Sequence, residues 1–332
     1  MKVYWITPST RLPAGTQGGI LLMGNFDGFH KGHKLLIDKA EALSKSAGIT
    51  GKENTSEQTN AFACSGGRLS DGQKLPVGIL TFYPHPEILF SPQKTCFFIT
   101  SLRAKLRLAA TLPVDCVYLC KFTPELAKMS PKKFIDTFLT HMIEPRHIVI
   151  GEDFTFGKNK KGTPETLRGS GFNVDVIKRD VQYSSSRARA FIEAGDIIGV
   201  THILGRPYEI EGYVKKGYGQ ARTLGYPTAN IPIDRFIRPA FGVYATQTFL
   251  DGVWQDSLSY IGRREFENEP ILETHIFNYK GNLYHRRLRV RFIDFIRKPL
   301  KFKNAQDIKR RLTADVATAK LKLNLQKKLL NI

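Results

Sequence analysis

The chain has 332 residues, of which 42% are hydrophobic and 24% are charged. This composition is typical of a globular protein and excludes disorder as the main state, while the length favours two domains. No apolar run approaches the roughly 20 residues that span a bilayer, and four cysteines are too few for a disulfide scaffold. The first residues, MKVYWITPSTRL, lack the basic start and apolar middle expected of a secretory signal. We therefore expect a cytoplasmic protein, and its net charge of +20 favours polyanionic partners such as nucleotides, nucleic acid or an acidic membrane surface.

Strands and helices alternate through the first half of the chain, which predicts a parallel sheet covered by helices. The predicted elements are the strand Ile20–Met23, the helix Lys31–Ala47, the strand Pro76–Phe82, the helix Leu102–Leu112, the strand Cys116–Cys120, the helix Pro131–Met142 and the strand His147–Ile150. A polar segment at 50–74 interrupts this series and is predicted to be an exposed insertion or loop.

The pattern changes after about Leu204 to short alternating segments separated by turn residues. The predicted strands are Tyr208–Val214, Val243–Phe249, Leu272–Asn278 and Leu288–Phe295. Such closely spaced strands favour an antiparallel sheet or barrel. From Asn304 onward the chain has no Gly or Pro and keeps helical apolar spacing, which predicts a closing amphipathic helix.

The segment GNFDGFHKGH (24–33) lies between the first of these strands and the first helix. A helix N-terminus offers unpaired N–H groups and a positive dipole end, and glycines let phosphate approach the backbone. His30 and His33 can both point toward such a phosphate. They can also be surface histidines or an i,i+3 metal pair, although zinc normally takes three or four protein ligands.

Three further segments follow strands or open a helix: TFYPHP (81–86), GEDFTFG (151–157) and SSSRAR (184–189). Ligands of open α/β sheets bind at the carboxyl ends of strands, so we expect these segments to converge on one crevice. Each has a simpler interpretation on its own: a Pro-rich turn, a Gly-bounded loop and a serine N-cap.

The second half has no P-loop and no protein-kinase signature. It does contain GYG (217–219), whose glycines are suited to folding over phosphates, and LGYPTAN (224–230). Thr228 and Asn230 alternate on an extended stretch and could ligate Mg²⁺, although a loop with a proline turn fits the same residues. Glu273 lies on the strand segment LETHIF (272–277), where an exposed Glu is normally a solubility residue.

Together these segments resemble the family of bacterial bifunctional riboflavin kinase/FAD synthetases. The resemblance to the FMN adenylyltransferase module runs from about Gly18 to Ile192, and that to the riboflavin kinase module from about Leu204 to Lys320. It implies an α/β plus β fold: a Rossmann-like nucleotidyltransferase domain with a parallel sheet over 1–195, then a six-stranded antiparallel β-barrel with a closing α-helix over 196–332.

The resemblance also implies site residues. His30 and His33 would steady the ATP phosphates, Ser185, Ser186 and Arg189 would hold the triphosphate, and Glu273 would be the general base that activates riboflavin. Thr228 and Asn230 would hold Mg²⁺ with the nucleotide. The nucleotide- and flavin-binding residues would be Gly24, Asn25, Phe26, Asp27, Gly28, Pro84, His85, Gly151, Asp153, Phe154, Gly217, Gly219 and Arg297.

The expected function is phosphorylation of riboflavin by ATP to FMN, followed by adenylylation of FMN by ATP to FAD and pyrophosphate. The expected partners are therefore the small molecules ATP, riboflavin and FMN, without a membrane and without an obligate protein partner. Departures from the family pattern are mild in the first half, at Ser186 and Ala188, and more frequent in the second, at Ala221, Tyr260, Glu265 and Pro299. They leave open an FMN adenylyltransferase with a weak or lost kinase. A basic nucleic-acid-binding protein is the alternative from another class, disfavoured because all the nucleotide motifs are present.

Overall fold

The computed structural model describes residues 1–47, 74–91, 97–217, 220–233, 236–263 and 270–330. The chain divides into two compact units, the first formed by residues 1–94 and 102–181 and the second by residues 95–101 and 182–332. Apart from Lys74, the segment predicted as an insertion lies outside the described residues. The domain boundary between residues 195 and 196 stays a prediction.

The first unit is built on a six-stranded parallel sheet with the strand order β1-β4-β3-β2-β5-β6. Its central strands are hydrophobic at successive positions because helices cover both faces: Leu21 and Met23 enter one core, Ile20 and Leu22 the other. The parallel sheet is confirmed. Its strands are β1 (Lys2–Ile6), β2 (Ile20–Met23), β3 (Val77–Tyr83), β4 (Cys116–Lys121), β5 (His147–Gly151) and β6 (Val174–Ile177).

The helices of the first unit connect successive strands. The predicted helix Pro131–Met142 forms, but as one α-helical turn followed by a π-helical segment, Ile135–Ile143, which ends where the Glu144 N–H donates to the Leu139 carbonyl. The α-helices are α1 (Lys31–Ala47), α2 (Pro86–Phe90), α3 (Leu102–Ala109), α4 (Pro124–Ala127), α5 (Pro131–Phe134) and α6 (Pro164–Gly169), with a 3₁₀ turn at Lys158–Lys160.

The second unit contains a six-stranded antiparallel barrel with the strand order β7-β12-β9-β10-β11-β8. The two end strands approach each other where the Lys215 N–H donates to the Asn230 carbonyl at 2.9 Å, so the barrel is nearly closed. This confirms the predicted barrel. Its strands are β7 (Glu209–Tyr213), β8 (Ala229–Pro232), β9 (Gly242–Leu250), β10 (Val253–Arg263), β11 (Pro270–Ile276) and β12 (Arg287–Arg297).

The barrel interior contains a layer of hydroxyl groups between apolar residues. We call it the hydroxyl layer; its members are joined by hydrogen bonds, for example between Thr246 and Ser259 at 2.7 Å, and all are at most 1% exposed. Because its two serines occupy inward positions of β10, that strand shows no apolar alternation and was not predicted. The layer comprises Thr246, Thr248, Ser257, Ser259 and Thr274.

Helices precede and follow the barrel strands in the sequence of the second unit. Ala188 and Ile192 of α7 belong to the core that the barrel encloses, which places this helix in the second unit. The closing helix is confirmed as α10, whose Ala319 and Leu323 pack against the outer side of the barrel at Val243. The helices are α7 (Ser185–Ala194), α8 (Ile197–Leu204), α9 (Gln220–Thr223) and α10 (Ala305–Leu330). No helix among the described residues is both long and apolar enough to cross a membrane.

An ion cluster joins α10 to the barrel. The Asp315 carboxylate is fully buried and accepts hydrogen bonds from Arg297 at the end of β12, at 2.6 Å from Nη2 and 3.0 Å from Nε. Arg311, one turn earlier on α10, lies 3.0 Å from the same carboxylate. Because both charges of a buried pair are desolvated, each depends on the other for its stabilisation.

Replacing Asp315 with Asn should therefore lower the free energy of unfolding of the second unit by about 3 kcal/mol, since Arg297, only 14% exposed, would keep a largely desolvated charge without its counterion. Urea unfolding followed by Trp254 fluorescence, in a Trp5→Phe background, measures this loss. The matched control is Asp307→Asn on the same helix, where the partner Arg310 is 84% exposed and a change below about 0.5 kcal/mol is expected. Equal effects of the two substitutions would contradict this account.

Candidate active sites

Three of the predicted motifs begin at one edge of the parallel sheet. GNFDGFHKGH follows β2, TFYPHP closes β3 and GEDFTFG closes β5, and these strands are neighbours in the order β3-β2-β5. Because all strands run the same way, their carboxyl ends share an edge, which is where ligands of open α/β sheets bind. SSSRAR opens α7 in the second unit, so its predicted part in this crevice stays a prediction.

The turn from β2 into α1 has an unusual backbone. Phe26 and Phe29 have φ angles of 48° and 40°, and Gly28 has φ 86°, so three residues lie in the left-handed region. A non-glycine residue in this region costs about 1–2 kcal/mol, which the surrounding structure must offset. Phe26 and Phe29 are buried and their rings stack at 5.5 Å, while the Gly24 N–H donates to the Leu80 carbonyl at 3.1 Å.

The two histidines of this motif are stacked at the start of α1. Their ring centroids are 3.7 Å apart, and the His33 ring also contacts Phe26 at 4.9 Å. The Nδ1 atom of His30 accepts the His33 backbone N–H at 3.3 Å, as an N-cap side chain does. In a neutral imidazole the other ring nitrogen, Nε2, then carries the proton and is a donor. The structure brings both predicted phosphate-binding residues together.

A buried lysine that the sequence did not point to holds the same turn. The Lys105 side chain on α3 is 7% exposed, and its Nζ donates to the Asn25 carbonyl at 2.6 Å. The Thr81 hydroxyl on β3 donates to that carbonyl at 3.0 Å. Burial lowers the pKa of Lys105 to about 8, against the opposing effect of the buried Asp27 carboxylate. The only sequence signal for the burial of Lys105 is its position next to Ala104 and four residues before Ala109, which are the other buried residues of α3.

The remaining predicted residues of the first unit have local partners. The Tyr83–Pro84 peptide bond is cis, and His85 caps α2 by accepting the Glu87 N–H at 3.2 Å. Asp153 forms an exposed ion pair with Arg179 at 3.3 Å. Gly151 and Phe154 form a turn through a 3.1 Å backbone bond, and the Phe154 ring packs on the core beside Phe156.

In the second unit, three polar side chains lie next to one another across three strands. Glu273 on β11 pairs with Asn230 on β8 and with Tyr260 on β10. Directly opposite residues of antiparallel strands project from the same face. Asn230 is buried and Glu273 is half-buried, and Thr228 lies on the segment that enters β8. The predicted general base and one predicted metal ligand are therefore cross-strand neighbours.

Tyr260, which departs from the family pattern, is part of this row. Burial raises its pKa, the Glu273 carboxylate raises the pKa further, and the Arg297 guanidinium opposes this increase. Tyr260 therefore lies within electrostatic range of both the predicted base, Glu273, and Arg297. Gly217 and Ala221 are described, whereas Gly219 and Glu265 lie outside the described residues.

Helix α7 presents the predicted triphosphate-binding residues of SSSRAR. Ser184 caps the helix by accepting the Arg187 N–H at 3.2 Å, and Ser185 and Ser186 follow in the first turn. The guanidinium of Arg189 lies 3.8 Å from the centre of the Phe97 ring, and its Nε donates to the Phe97 carbonyl at 3.0 Å. Phe97 therefore orients Arg189, a role that sequence reasoning missed because the two residues are 92 positions apart.

The donor groups at Thr228 and Asn230 fit a magnesium ion. Mg²⁺ prefers oxygen ligands and is usually held by a few protein groups together with substrate phosphates and water. A hydroxyl and a side-chain amide supply such oxygens. No group of three or more His, Cys, Asp or Glu side chains that could hold a metal occurs among the residues the structure describes.

Comparisons with known proteins match both halves of the chain. A family model for riboflavin kinase matches residues 204–323, and a model for FAD synthetase matches residues 67–189, which does not reach His30 and His33. Two relatives described as bifunctional riboflavin kinase/FMN adenylyltransferase extend over nearly the whole chain. The Bacillus subtilis protein is 28% identical over 95% of this chain and 96% of its own length, and the Escherichia coli protein is 29% identical over 92% and 93%.

A solved structure shares the fold. The crystal structure of a macrolide-efflux protein from Streptococcus pneumoniae has a TM-score of 0.79 and 25% sequence identity to this chain. It covers 96% of this chain and 99% of its own. The sequence relatives and this structure thus extend over the same two units.

The buried Lys105 predicts an unusual dependence of stability on pH. Its folded-state pKa of about 8 lies below the unfolded value of 10.5, so between these values the unfolded state binds more protons and stability rises with pH. Relative to Lys105→Met, the native chain should gain about 3 kcal/mol in the free energy of unfolding of the first unit between pH 8 and pH 10.5. Trp5 fluorescence in a Trp254→Phe background follows that unfolding in urea. A difference that stays constant or falls with pH would refute this prediction.

Proposed function

Because this chain belongs to the bifunctional riboflavin kinase/FMN adenylyltransferase family, we propose that it makes FMN from riboflavin and then FAD from FMN, using ATP in both steps. We assign adenylyl transfer to the histidine turn of the first unit and phosphorylation to the Asn230–Glu273–Tyr260 row of the second. The required partners are ATP, riboflavin and FMN, and the compartment we propose is the cytoplasm.

In adenylyl transfer, a phosphate oxygen of FMN attacks the α-phosphorus of ATP, and the bond to the departing pyrophosphate breaks. Negative charge shifts onto that pyrophosphate, so donors aimed at the phosphates lower the barrier. His30 can supply its Nε2 proton because Nδ1 is engaged with the His33 N–H. The first turn of α1 adds backbone N–H groups and its dipole.

In riboflavin phosphorylation, the terminal hydroxyl of the ribityl chain loses its proton as it attacks the γ-phosphorus of ATP, and the bond from that phosphorus to the departing ADP breaks. We assign the proton acceptor to Glu273, whose carboxylate projects beside Asn230 and Tyr260. Tyr260 keeps its own proton because its pKa is raised, so its hydroxyl can donate to an oxygen. Thr228 and Asn230 would hold Mg²⁺, which when bound neutralises charge on the nucleotide phosphates.

The observation that supports this proposal is that each unit contains its own pair of neighbouring polar side chains from the predicted sites. His30 and His33 stack at 3.7 Å in the first unit, and Asn230 and Glu273 pair across strands in the second. Incubation with riboflavin, ATP and Mg²⁺, with riboflavin, FMN and FAD separated over time, tests both steps. Conversion of supplied FMN to FAD without FMN formation from riboflavin would support the alternative, an adenylyltransferase without a working kinase.

His33→Ala should lower FAD formation by about 10²–10³-fold, because one preorganised donor to the developing charge is lost. FMN should continue to accumulate from riboflavin at the native rate, since the substituted residue belongs to the first unit. His33 is a better target than His30, whose ring also caps α1. Loss of both products in a folded variant would exclude the assignment.

Glu273→Gln should lower FMN formation by about 10²–10⁴-fold, because the amide cannot accept the proton of the attacking hydroxyl. The conversion of supplied FMN to FAD should be unchanged. His275→Gln, two positions along the same strand face, is the matched control: the His275 Nδ1 donates to the Pro227 carbonyl at 2.8 Å, and the Gln amide can donate in its place. Native kinase turnover in the Glu273 variant would remove this residue from the mechanism.

A further inference from the structure

The structure points to one residue beyond the predicted sites, the buried Lys105 on α3. A lysine is seldom buried unless its ammonium group has partners, because removing the charge from water is costly. Here the side chain is 7% exposed and its Nζ lies 2.6 Å from the Asn25 carbonyl oxygen. The lysine therefore fixes a backbone atom of the turn that presents His30 and His33.

The Asn25 carbonyl is held from two directions. Thr81 on β3 and Lys105 on α3 donate to the same oxygen, and these donors come from elements 56 and 80 residues further along the chain. A carbonyl oxygen has two lone pairs, so the two bonds use both. The peptide group is thereby fixed in orientation immediately before Phe26, whose φ of 48° is unfavourable for a non-glycine residue.

The orientation of this peptide determines the path of the chain into α1. Between Asn25 and His30 the backbone passes through three left-handed residues, a conformation that persists only where surrounding contacts hold it. The buried Asp27 carboxylate lies in the same turn and interacts electrostatically with Lys105. Loss of the ammonium group would remove one anchor of the turn and a countercharge of Asp27 together.

We propose that Lys105 is a positioning residue for adenylyl transfer: with Thr81 it holds the Asn25 carbonyl and so keeps the turn in the form that places His30 and His33 at the phosphates. This inference rests on the proposed adenylyltransferase activity. Lys105 contacts the turn through the Asn25 carbonyl, so we expect its effect to pass through the histidines that the turn presents. Small misplacements of such groups lower rates strongly, by about 10²-fold for about 1 Å.

The test is Lys105→Met, which keeps a long side chain but removes the ammonium group. It should lower kcat/KM for FAD formation from FMN by about 10- to 100-fold. Riboflavin phosphorylation by the same preparation should stay within about twofold of native and reports that the second unit is folded. Arg103→Met, an exposed cation on the same helix, is the matched control and should leave both activities unchanged.

A double-mutant cycle with His33→Ala separates positioning from general damage. If Lys105 acts through the histidines, adding Lys105→Met to His33→Ala should lower FAD formation further by less than about twofold. The full 10- to 100-fold loss in that background, or no loss in the single variant, would overturn the proposal. If Lys105→Met does not fold, Thr81→Val removes the other donor without removing a charge, and its several-fold loss must show the same coupling. Absence of FAD formation by the native chain would instead refute the proposed function itself.

Discussion

The hydrogen bonds to the Asn25 carbonyl are the interaction on which the first site depends. A parallel sheet brings strand ends to one edge, but it does not determine how the chain leaves a strand to start a helix. In this protein that step is an irregular turn with Phe26 and Phe29 at positive φ. Such a backbone persists only where surrounding contacts over-determine it. Those contacts come from Thr81, Lys105 and the stacked phenylalanine rings. They determine the path of the turn and therefore the positions of His30 and His33.

The second site depends instead on the register in which the barrel strands β8, β11 and β10 pair. Side chains alternate between the two faces of a strand, so a shift of one residue would carry Glu273 to the barrel interior. The interior is occupied by the hydroxyl layer and by apolar residues such as Leu272 and Ile276. The hydroxyls of that layer satisfy one another, which lets serines occupy buried positions of β10 without unpaired polar groups. The same register that buries Ser259 and Thr274 presents Tyr260 and Glu273 on the outer face.

The sequence was sufficient for the elements with a regular pattern. The parallel strands predicted at Ile20–Met23 and His147–Ile150, the helix Lys31–Ala47 and the closing helix all form, because their apolar residues recur with a helical period or form short buried runs. The edge strands β1 and β6 were missed because they are only partly buried. β10 was missed because its inward residues are polar.

For the sites, sequence reasoning found residues within motifs but not the residues that hold them. His30, His33 and Glu273 lie in recognisable segments. Lys105 and Phe97 do not, and they act over 80 and 92 positions in the chain. Contacts of this range are set by packing, which no local pattern encodes. Tyr260 was noted only as a departure, and its place beside Glu273 follows from strand pairing.

The basic C-terminal segment, which includes α10, shows that a high net charge does not by itself indicate a surface for polyanions. Residues 280–332 contain sixteen Lys and Arg against three Asp, a density that suggests attraction of polyanions. Yet Lys322 pairs with Asp294 and Lys327 with Asp256, both on the barrel. Together with the buried Asp315 cluster, these bonds fasten α10 along its length. Since a paired cation contributes little field at a distance, part of this charge serves the attachment of the helix, and only the remainder is available to act on ligands.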